Sequence, residues 1–240
     1  MASDAASPLV SIAAPIEAIV TDIEGTTTAI SFVHDVLFPY ARARLPDFAA
    51  AHGHEPEVRA QLDAAKREAG DAALSDAGMV DILQRWIDED RKITPLKALQ
   101  GLIWAEGYSA GDLQGHLYDD AVAALRAWHA AGKKLYVYSS GSVAAQKLIF
   151  GHTPVGDLTP LFAGYFDTTT GPKMAAASYR KIAQAIGTAP ARILFLSDSV
   201  KEIEAARAAG MATVQLRRPD EAQPKGEGPQ AASFADIAVD

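Results

Sequence analysis

Cysteine is absent from the 240 residues, which excludes disulfides, a thiolate nucleophile and thiolate metal ligands. Long apolar runs are also missing, because no stretch approaches the roughly 18 residues that a membrane-spanning helix requires. Basic residues are few, with 22 Lys and Arg against 30 Asp and Glu, for a formal net charge of −8. A surface of that sign repels phosphate backbones, so we expect neither a nucleic acid nor a membrane as partner.

The first fourteen residues contain no Lys or Arg and therefore lack the positively charged flank of a signal peptide. We interpret this segment as a short tail on a cytoplasmic protein. No coiled-coil or repeat pattern is visible in the sequence, and we therefore expect a monomer. A hydrophobic content of 49% is ample for one buried core, with room for an inserted subdomain.

Four short apolar runs have the composition of strands that are buried on both faces. They are residues 16–21, 135–138, 193–196 and 212–216. Between these runs, apolar residues recur at helical spacing and end at a glycine, as around Leu125 before Gly132. The alternation of strands and helices predicts an α/β fold with a doubly wound, Rossmann-like parallel sheet.

Residues 30–116 interrupt this alternation, because they are helical in pattern and contain no run typical of a strand. They also separate the first predicted strand from the others. We predict that residues 30–116 form an inserted helical cap, and that residues 1–29 and 117–240 form the core domain. Connections in such folds are usually short, and we therefore expect an insertion of this length to serve a function. Residues 217–230, which are polar and rich in Pro and Gly, predict a solvated loop.

Polar residues follow three of the predicted strands directly: Asp22, the pair Ser139 and Ser140, and Asp198. Ligands of open α/β sheets bind at the carboxyl ends of the strands, so we expect these residues to converge there. Phosphate-ester hydrolysis requires an in-line nucleophile, charge neutralisation and a proton for the leaving oxygen. Asp22 is suited to be the nucleophile. Mg²⁺ suits the pair of Asp22 and Asp198, because it binds one or two carboxylates together with phosphate and water.

Three further charged residues have predicted roles in the same chemistry. Glu24, two residues after Asp22, is predicted to protonate the leaving alcohol and then to activate water. Lys173, in the sequence Gly-Pro-Lys, is predicted to open a helix and to place its ammonium beside the developing charge. Glu202, one helical turn after Asp198, is predicted to orient Lys173 or a metal-bound water.

Ser139, Ser140 and the backbone of Gly141 offer hydroxyl and N–H donors for phosphate oxygens ahead of a predicted helix. Each of these features, taken alone, has an ordinary structural explanation. Serines and aspartates at strand ends often cap helices, and a lysine after Gly-Pro is usually solvated. The catalytic interpretation is favoured because all of the features occur together, in order, after strands or at helix starts.

The segments DIEGTT (22–27), YSSG (138–141), GPK (171–173) and LSD (196–198) resemble the four motifs of haloacid-dehalogenase-like phosphatases. Most members have Asp two residues after the nucleophile, whereas this chain has Glu24. With the adjoining TTTAISFVHDVLFPYAR, that departure narrows the resemblance to the enolase-phosphatases of methionine salvage, also called acireductone synthases. The segments TPLKALQGLIWAEGY and LYVYSSGSVAAQKLIFGH match as well, so the resemblance covers about residues 16–215.

This resemblance implies a haloacid-dehalogenase-type core with an inserted cap and a two-step reaction. The small phosphorylated diketone 2,3-diketo-5-methylthiopentyl-1-phosphate is enolised and then dephosphorylated, through an aspartyl phosphate, to the acireductone 1,2-dihydroxy-3-keto-5-methylthiopentene. The implied cofactor is one Mg²⁺ per subunit, and the implied metal ligands are Asp22, Glu24 and Asp198. The implied phosphate-binding residues are Ser139, Ser140, Gly141 and Lys173. Glu24 is open to two roles here, since relatives of this fold reach the metal through a backbone carbonyl at this position.

Two other functions remain open at the level of sequence. A phosphatase of the same fold acting on a sugar or glycolate phosphate would keep Asp22, Lys173 and Asp198, but it predicts a cap suited to hydroxyl groups. The apolar segment LQGLIW in the predicted cap argues against it. A catalytically silent binding module on the same fold usually lacks the nucleophile, a metal ligand or the lysine, and none of these is missing.

Overall fold

A computed structural model describes residues 10–12 and 15–239 of the chain. Most of the predicted N-terminal tail, residues 1–14, lies outside the described residues. The chain divides into two compact units: the first runs up to Ile30 and resumes at His116, and the second is Ser31–Gly115. The assignment of these units as catalytic core and cap stays a prediction. Within the described part, no helix is both long and apolar enough to cross a membrane.

The strands of the first unit form one six-stranded parallel sheet and one two-stranded sheet. They are β1 (Val10–Ser11), β2 (Ala18–Thr21), β3 (Lys134–Tyr138), β4 (Phe162–Phe166), β5 (Ile193–Ser197), β6 (Ala212–Leu216), β7 (Gln230–Ala231) and β8 (Ile237–Ala238). The larger sheet has the order β4-β3-β2-β5-β6-β7, and β1 pairs with β8. Strand β2 lies in the middle, parallel to both β3 and β5. The predicted parallel α/β sheet is confirmed.

The helices alternate with the strands of the first unit and make up the second unit. The α-helices are α1 (Phe38–His52), α2 (Pro56–Glu68), α3 (Asp76–Asp88), α4 (Thr94–Ala110), α5 (Asp119–Ala130), α6 (Val143–Gly151), α7 (Ala176–Ile186) and α8 (Val200–Ala208). A π-helix spans Phe32–Leu37, and short 3₁₀ turns occur at Thr159–Leu161, Pro190–Arg192 and Phe234–Asp236. Helices α1 to α4 belong to the second unit, and α5 to α8 belong to the first.

The central strands are apolar because they are covered on both faces. Val20 and Phe195 are fully buried and share one core cluster with Tyr179 and Ile182 of α7 and Ile203 of α8. Both β2 and β5 are buried along their whole length. Continuous burial accounts for the unbroken apolar runs that predicted these strands.

Strand β4 was not predicted, and its sequence explains why. It reads FAGYF, in which Ala and Gly weaken the strand signal, and it lies at an edge of the sheet. Its pairing with β3 shifts register between Leu135 and Tyr136. A strand with one partner and a partly exposed face leaves a weaker pattern in the sequence than β2 or β5.

The second unit has a hydrophobic core of its own. Its fully buried residues include Leu45 of α1, Leu62 of α2, Leu83 of α3 and Leu99 of α4. All four helices therefore contribute to one cluster. Trp104 packs at the margin of this cluster, and its indole Nε1 donates a hydrogen bond to the carbonyl of residue 37 at 2.8 Å, at the end of the π-helix.

Candidate active site

Asp22 follows β2 directly and is buried, with 5% of its surface exposed. Its backbone N–H donates to the Leu196 carbonyl at 2.8 Å, which continues the pairing of β2 with β5 beyond the end of the strand. The N–H of Ile23 donates to Asp22 Oδ1 at 2.7 Å. The Asp22 carboxylate is thus fixed at the carboxyl edge of the central strand, where the sequence predicted it.

The loop after Asp22 turns back sharply around Gly25. The Ile23 carbonyl accepts the N–H groups of residues 26, 27 and 28 at 2.9–3.1 Å. Gly25 has a φ of 68°, and a Cβ at this position would lie 2.7 Å from Asp198 Oδ2. Glycine is required both by the left-handed backbone and by this close approach. The loops after β2 and β5 therefore meet, which brings Asp198 beside the loop that carries Asp22.

Lys173 lies between two buried carboxylates. Its Nζ is 2.7 Å from Asp22 Oδ1 and 2.8 Å from Glu202 Oε2, and its side chain is 10% exposed. The Ser197 hydroxyl lies within 3.2 Å of Asp22 Oδ2 and 3.0 Å of Glu202 Oε2. The predicted orientation of Lys173 by Glu202 agrees with this geometry, and the alternative of a solvated lysine is wrong.

Lys173 does not open a helix, contrary to the prediction, because α7 begins only at Ala176. The lysine lies in a preceding turn, in which the N–H of Ala175 donates to the Pro172 carbonyl at 3.1 Å. The Tyr179 hydroxyl donates to the Lys173 carbonyl at 2.7 Å. The helix starts only after this turn because the backbone of Ala175 is extended, with φ of −112° and ψ of 122°.

The charges of this cluster shift the pKa values of its members. Burial by itself lowers the pKa of the Lys173 ammonium, but the charges of Asp22 and Glu202 outweigh that effect and raise it. Burial, followed by the charge of Asp22, raises the pKa of Glu202 to about 8. The same two causes raise the pKa of Asp198 to about 7. The single positive charge of Lys173 does not balance the carboxyl groups of the cluster. A cluster with this excess of negative charge suits a bound cation.

The carboxylate oxygens of this cluster fit a hard divalent cation that is bound by two carboxylates. In residues 10–12 and 15–239, no three His, Cys, Asp or Glu side chains are grouped so that they can hold a metal ion by themselves. Mg²⁺ does not require such a group, because it usually keeps several waters and binds substrate phosphate. Asp22 and Asp198 supply two carboxylates at neighbouring loops, and the charge of Asp22 acts on Asp198. Glu24 is half-buried and forms a β-bridge with Thr28, and its role as a metal ligand stays a prediction.

The loop from Ser139 to Gly141 follows β3, the neighbour of β2, at the same edge of the sheet. The Gly141 N–H donates to Ser139 Oγ at 3.1 Å. Helix α6 is capped by Ser142, whose Oγ accepts from the Ala145 N–H at 3.2 Å. Neither Ser139 nor Ser140 is therefore the cap of this helix, which removes the helix-cap explanation for the two serines.

Gln146 and Ser197 are supporting residues that the sequence analysis missed. Gln146 is 1% exposed, and its Nε2 donates to the carbonyls of Gly141 and Phe166, both at 2.9 Å. It thereby ties the loop after β3 to the end of β4. The sequence signal for Ser197 was its position beside Asp198, whereas a glutamine inside an apolar helix gave no signal of this role.

The connector of residues 217–230 is a loop as far as the start of β7, as its composition predicted, and most of its residues are exposed, but one of its side chains is buried. Arg218 is 5% exposed, and its Nε and Nη2 donate to the Thr26 carbonyl at 3.1 and 2.6 Å. Its Nη1 donates to Asp120 Oδ2 at 2.7 Å, and the guanidinium lies 4.0 Å from the centroid of the Tyr118 ring. The charge can be buried because a carboxylate, a carbonyl and an aromatic face surround it. The composition of the segment predicted the loop but not the buried arginine that anchors it.

Comparison with known proteins gives concordant matches over most of the chain. A family model described as haloacid dehalogenase-like hydrolase matches residues 16–210. Enolase-phosphatase E1 of Pseudomonas aeruginosa is 60% identical over 94% of this chain and 99% of its own length. Enolase-phosphatase E1 of Azotobacter vinelandii is 60% identical over 85% of this chain and 90% of its own. The crystal structure of the Unknown transcript 4 protein of Saccharomyces cerevisiae is similar with a TM-score of 0.78 and 32% identity, covering 91% of this chain and 98% of that chain.

Proposed function

We propose an enolase-phosphatase activity for this chain, because it belongs to the haloacid dehalogenase-like hydrolases and, within them, to the enolase-phosphatase E1 family. The substrate is 2,3-diketo-5-methylthiopentyl-1-phosphate, which is enolised and then dephosphorylated to the acireductone of methionine salvage. The observation that carries the proposal is the buried contact of Asp22 with Lys173 at 2.7 Å, at the carboxyl edge of the central strand.

Asp22 is the proposed nucleophile of the phosphatase step. Attack of its carboxylate on phosphorus forms an aspartyl phosphate as the bond from phosphorus to the leaving oxygen breaks. Lys173 is already placed to offset the charge on the transferring group, because it lies 2.7 Å from the attacking carboxylate. Water then attacks phosphorus, which releases inorganic phosphate and restores the Asp22 carboxylate.

Glu24 is the proposed proton carrier of both steps. It gives a proton to the enol oxygen that leaves phosphorus and later takes a proton from the attacking water. In the enolisation step it takes the proton from carbon and returns it to the neighbouring carbonyl oxygen, which becomes the enol hydroxyl. Its side chain reaches one methylene farther for this than the aspartate found in most relatives of the superfamily. Its half-buried position, two residues beyond Asp22, supports this role.

Mg²⁺ is the proposed cofactor, one per subunit, and Asp22 and Asp198 would hold it together with the side chain or carbonyl of Glu24. When bound, it supplies the positive charge that lets a carboxylate approach a phosphate and acidifies carbon next to a carbonyl. The proposed phosphate-binding groups are Ser139, Ser140, the N–H of Gly141, and Lys173. We further propose that the protein acts as a cytoplasmic monomer.

The test is an assay of the purified protein with the diketo phosphate, in which phosphate release and acireductone absorbance are followed together. We expect both signals with Mg²⁺, and we expect both to vanish after chelation and in Asp22→Asn. Phosphate release from unrelated esters, without acireductone from this substrate, would point to a phosphatase of other specificity. The absence of both products from the wild-type protein with Mg²⁺ would leave a binding module as the better reading.

A further inference from the structure

Gln223, in the connector of residues 217–230, places a side-chain amide against Asp198. Its Nε2 lies 3.0 Å from Asp198 Oδ2, 3.4 Å from the Gly25 carbonyl and 3.2 Å from Glu221 Oε2. All three neighbours are acceptors, which identifies this end of the amide as the donor. The contact spans the loops after β2 and β5, which both contribute to the candidate active site.

The connector is fastened next to Asp198 by a second glutamine. Gln215 of β6 is fully buried, and its Nε2 donates to the carbonyls of Asp198 at 2.9 Å and Pro224 at 2.8 Å. Its Oε1 accepts the N–H of Gly226 at 2.9 Å. The backbone that follows Gln223 is therefore held to the same residue that the Gln223 side chain contacts.

The backbone that precedes Gln223 is held as well. Glu221 Oε1 accepts the N–H of Ile30 at 2.7 Å and lies 3.2 Å from the Tyr118 hydroxyl. Arg218 donates to the Thr26 carbonyl in the loop after Asp22. With both sides anchored to the first unit, the backbone of Gln223 is preorganised, and little backbone entropy is lost when its amide contacts Asp198.

We propose that Gln223 is a positioning residue, which orients the Asp198 carboxylate for a divalent cation. The inference rests on the proposed function, which assigns Asp198 to Mg²⁺. A carboxylate rotates about its Cβ–Cγ bond, and a donor on Oδ2 restricts that rotation before the cation arrives. Partners that orient metal ligands in this way change metal affinity by about 10- to 100-fold when they are removed.

Isothermal titration with MgCl₂ of the full-length protein tests this role without relying on activity. Gln223→Met keeps the length of the side chain and removes the donor. The matched control is Gln230→Met, since Gln230 donates to the Gly226 carbonyl at the far end of the connector. We expect the Kd for Mg²⁺ to rise about tenfold in Gln223→Met and to stay within about twofold in Gln230→Met.

Asp198→Asn separates failure of this inference from failure of the proposed function. If Asp198→Asn loses Mg²⁺ binding while Gln223→Met binds Mg²⁺ like the wild type, the role of Gln223 is overturned and the proposed metal site stands. If Asp198→Asn binds Mg²⁺ like the wild type, both are overturned. Should Gln223→Met fail to fold, Gln223→Asn serves instead, because its shorter amide does not reach Asp198. Wild-type affinity in that variant would also overturn the inference.

Discussion

Lys173 is the residue on which the charge balance of the site depends. It is the cation that contacts both Asp22 and Glu202, and all three side chains are almost entirely removed from solvent. A buried carboxylate without a partner is costly, so this lysine stabilises the arrangement as well as the reacting group. Its two roles lead to a prediction for activity.

We predict that Lys173→Met lowers kcat for phosphate release by about 10²- to 10³-fold at saturating Mg²⁺, because one charge-stabilising donor is lost. Lys181→Met is the matched control, since Lys181 is an exposed lysine of α7 whose Nζ donates to the Thr170 carbonyl at 3.2 Å. Steady-state phosphate assays of both variants provide the measurement. Wild-type kcat in Lys173→Met would show that the ammonium has no part in the phosphatase step.

The pKa values of Asp198 and Glu202 predict how the metal-free protein responds to pH. The pKa of Asp198 is raised to about 7 and that of Glu202 to about 8, whereas carboxyl groups in an unfolded chain titrate at pH ~4. Between those limits the folded state binds more protons than the unfolded state, so the free energy of unfolding falls as pH rises. Urea denaturation in EDTA at pH 5 to 8 should show this decrease, and a smaller one in Glu202→Gln. A free energy of unfolding that rises over this range would contradict the electrostatic description.

At the scale of residues, the sequence located the proposed reacting groups better than the residues that support them. Asp22 and Asp198 were predictable because the ends of parallel strands meet at one edge of the sheet. Ser197 ends β5 and Gln223 lies in a loop, and neither was predicted as a support because the partners of both come from segments distant in sequence, which no local pattern encodes. Polar side chains in such loops have many acceptable partners, and only the folded chain selects one.

At the scale of elements, the loop that follows β2 is tightly constrained at Gly25. Gly25 combines a positive φ with an approach to Asp198 that leaves no room for a Cβ. Gly70 has a similar φ of 79°, but nothing lies within 4 Å of its missing Cβ. Substitutions at the two glycines therefore distinguish the cost of a left-handed backbone from the additional cost of a steric clash with Asp198.

We predict that Gly25→Ala and Gly70→Ala both lose about 1–2 kcal/mol of stability from the left-handed backbone. Gly25→Ala loses more, because Asp198 must also move, and its Kd for Mg²⁺ rises. Urea denaturation and magnesium titration of the two variants measure these effects. Equal losses of stability with unchanged magnesium affinity would show that the loop tolerates a side chain at residue 25.

The elements themselves were predictable where burial was complete. The runs that became β2, β3, β5 and β6 are mostly apolar and almost entirely buried, whereas the edge strand β4 is largely half-exposed and β7 has only two residues. The connector before β7 was correctly predicted to be a loop, but its Pro and Gly content gave no sign of the few side chains that anchor it. Composition reports an average over a segment, and here single residues such as Arg218 and Gln223 determine where the segment lies.

The molecule as a whole consists of two units, each with its own hydrophobic core. Leu83 is fully buried in the second unit, and every residue proposed to contact Mg²⁺ belongs to the first. We predict that Leu83→Ala lowers the free energy of unfolding by about 2–5 kcal/mol and leaves the Kd for Mg²⁺ unchanged. Denaturation and titration of this variant give the test. A large change in magnesium affinity would mean that the cation site extends into the second unit.

The fold class followed from the sequence because alternation of buried strands and helices has few solutions. The acidic net charge of −8 argued against nucleic acid as a partner, and a protein of this charge binds an anionic small molecule only where cations gather in one place. Lys173 and the proposed Mg²⁺ meet that condition at Asp22.

The most direct test of the account is to trap the phosphorylated residue during turnover. Borohydride reduces an aspartyl phosphate to homoserine, and mass spectrometry of the peptides locates the change. With the diketo phosphate and Mg²⁺ present, we predict homoserine at residue 22, and none in Asp22→Asn. Homoserine at a different aspartate, or full turnover by Asp22→Asn, would contradict the claim that Asp22 attacks phosphorus.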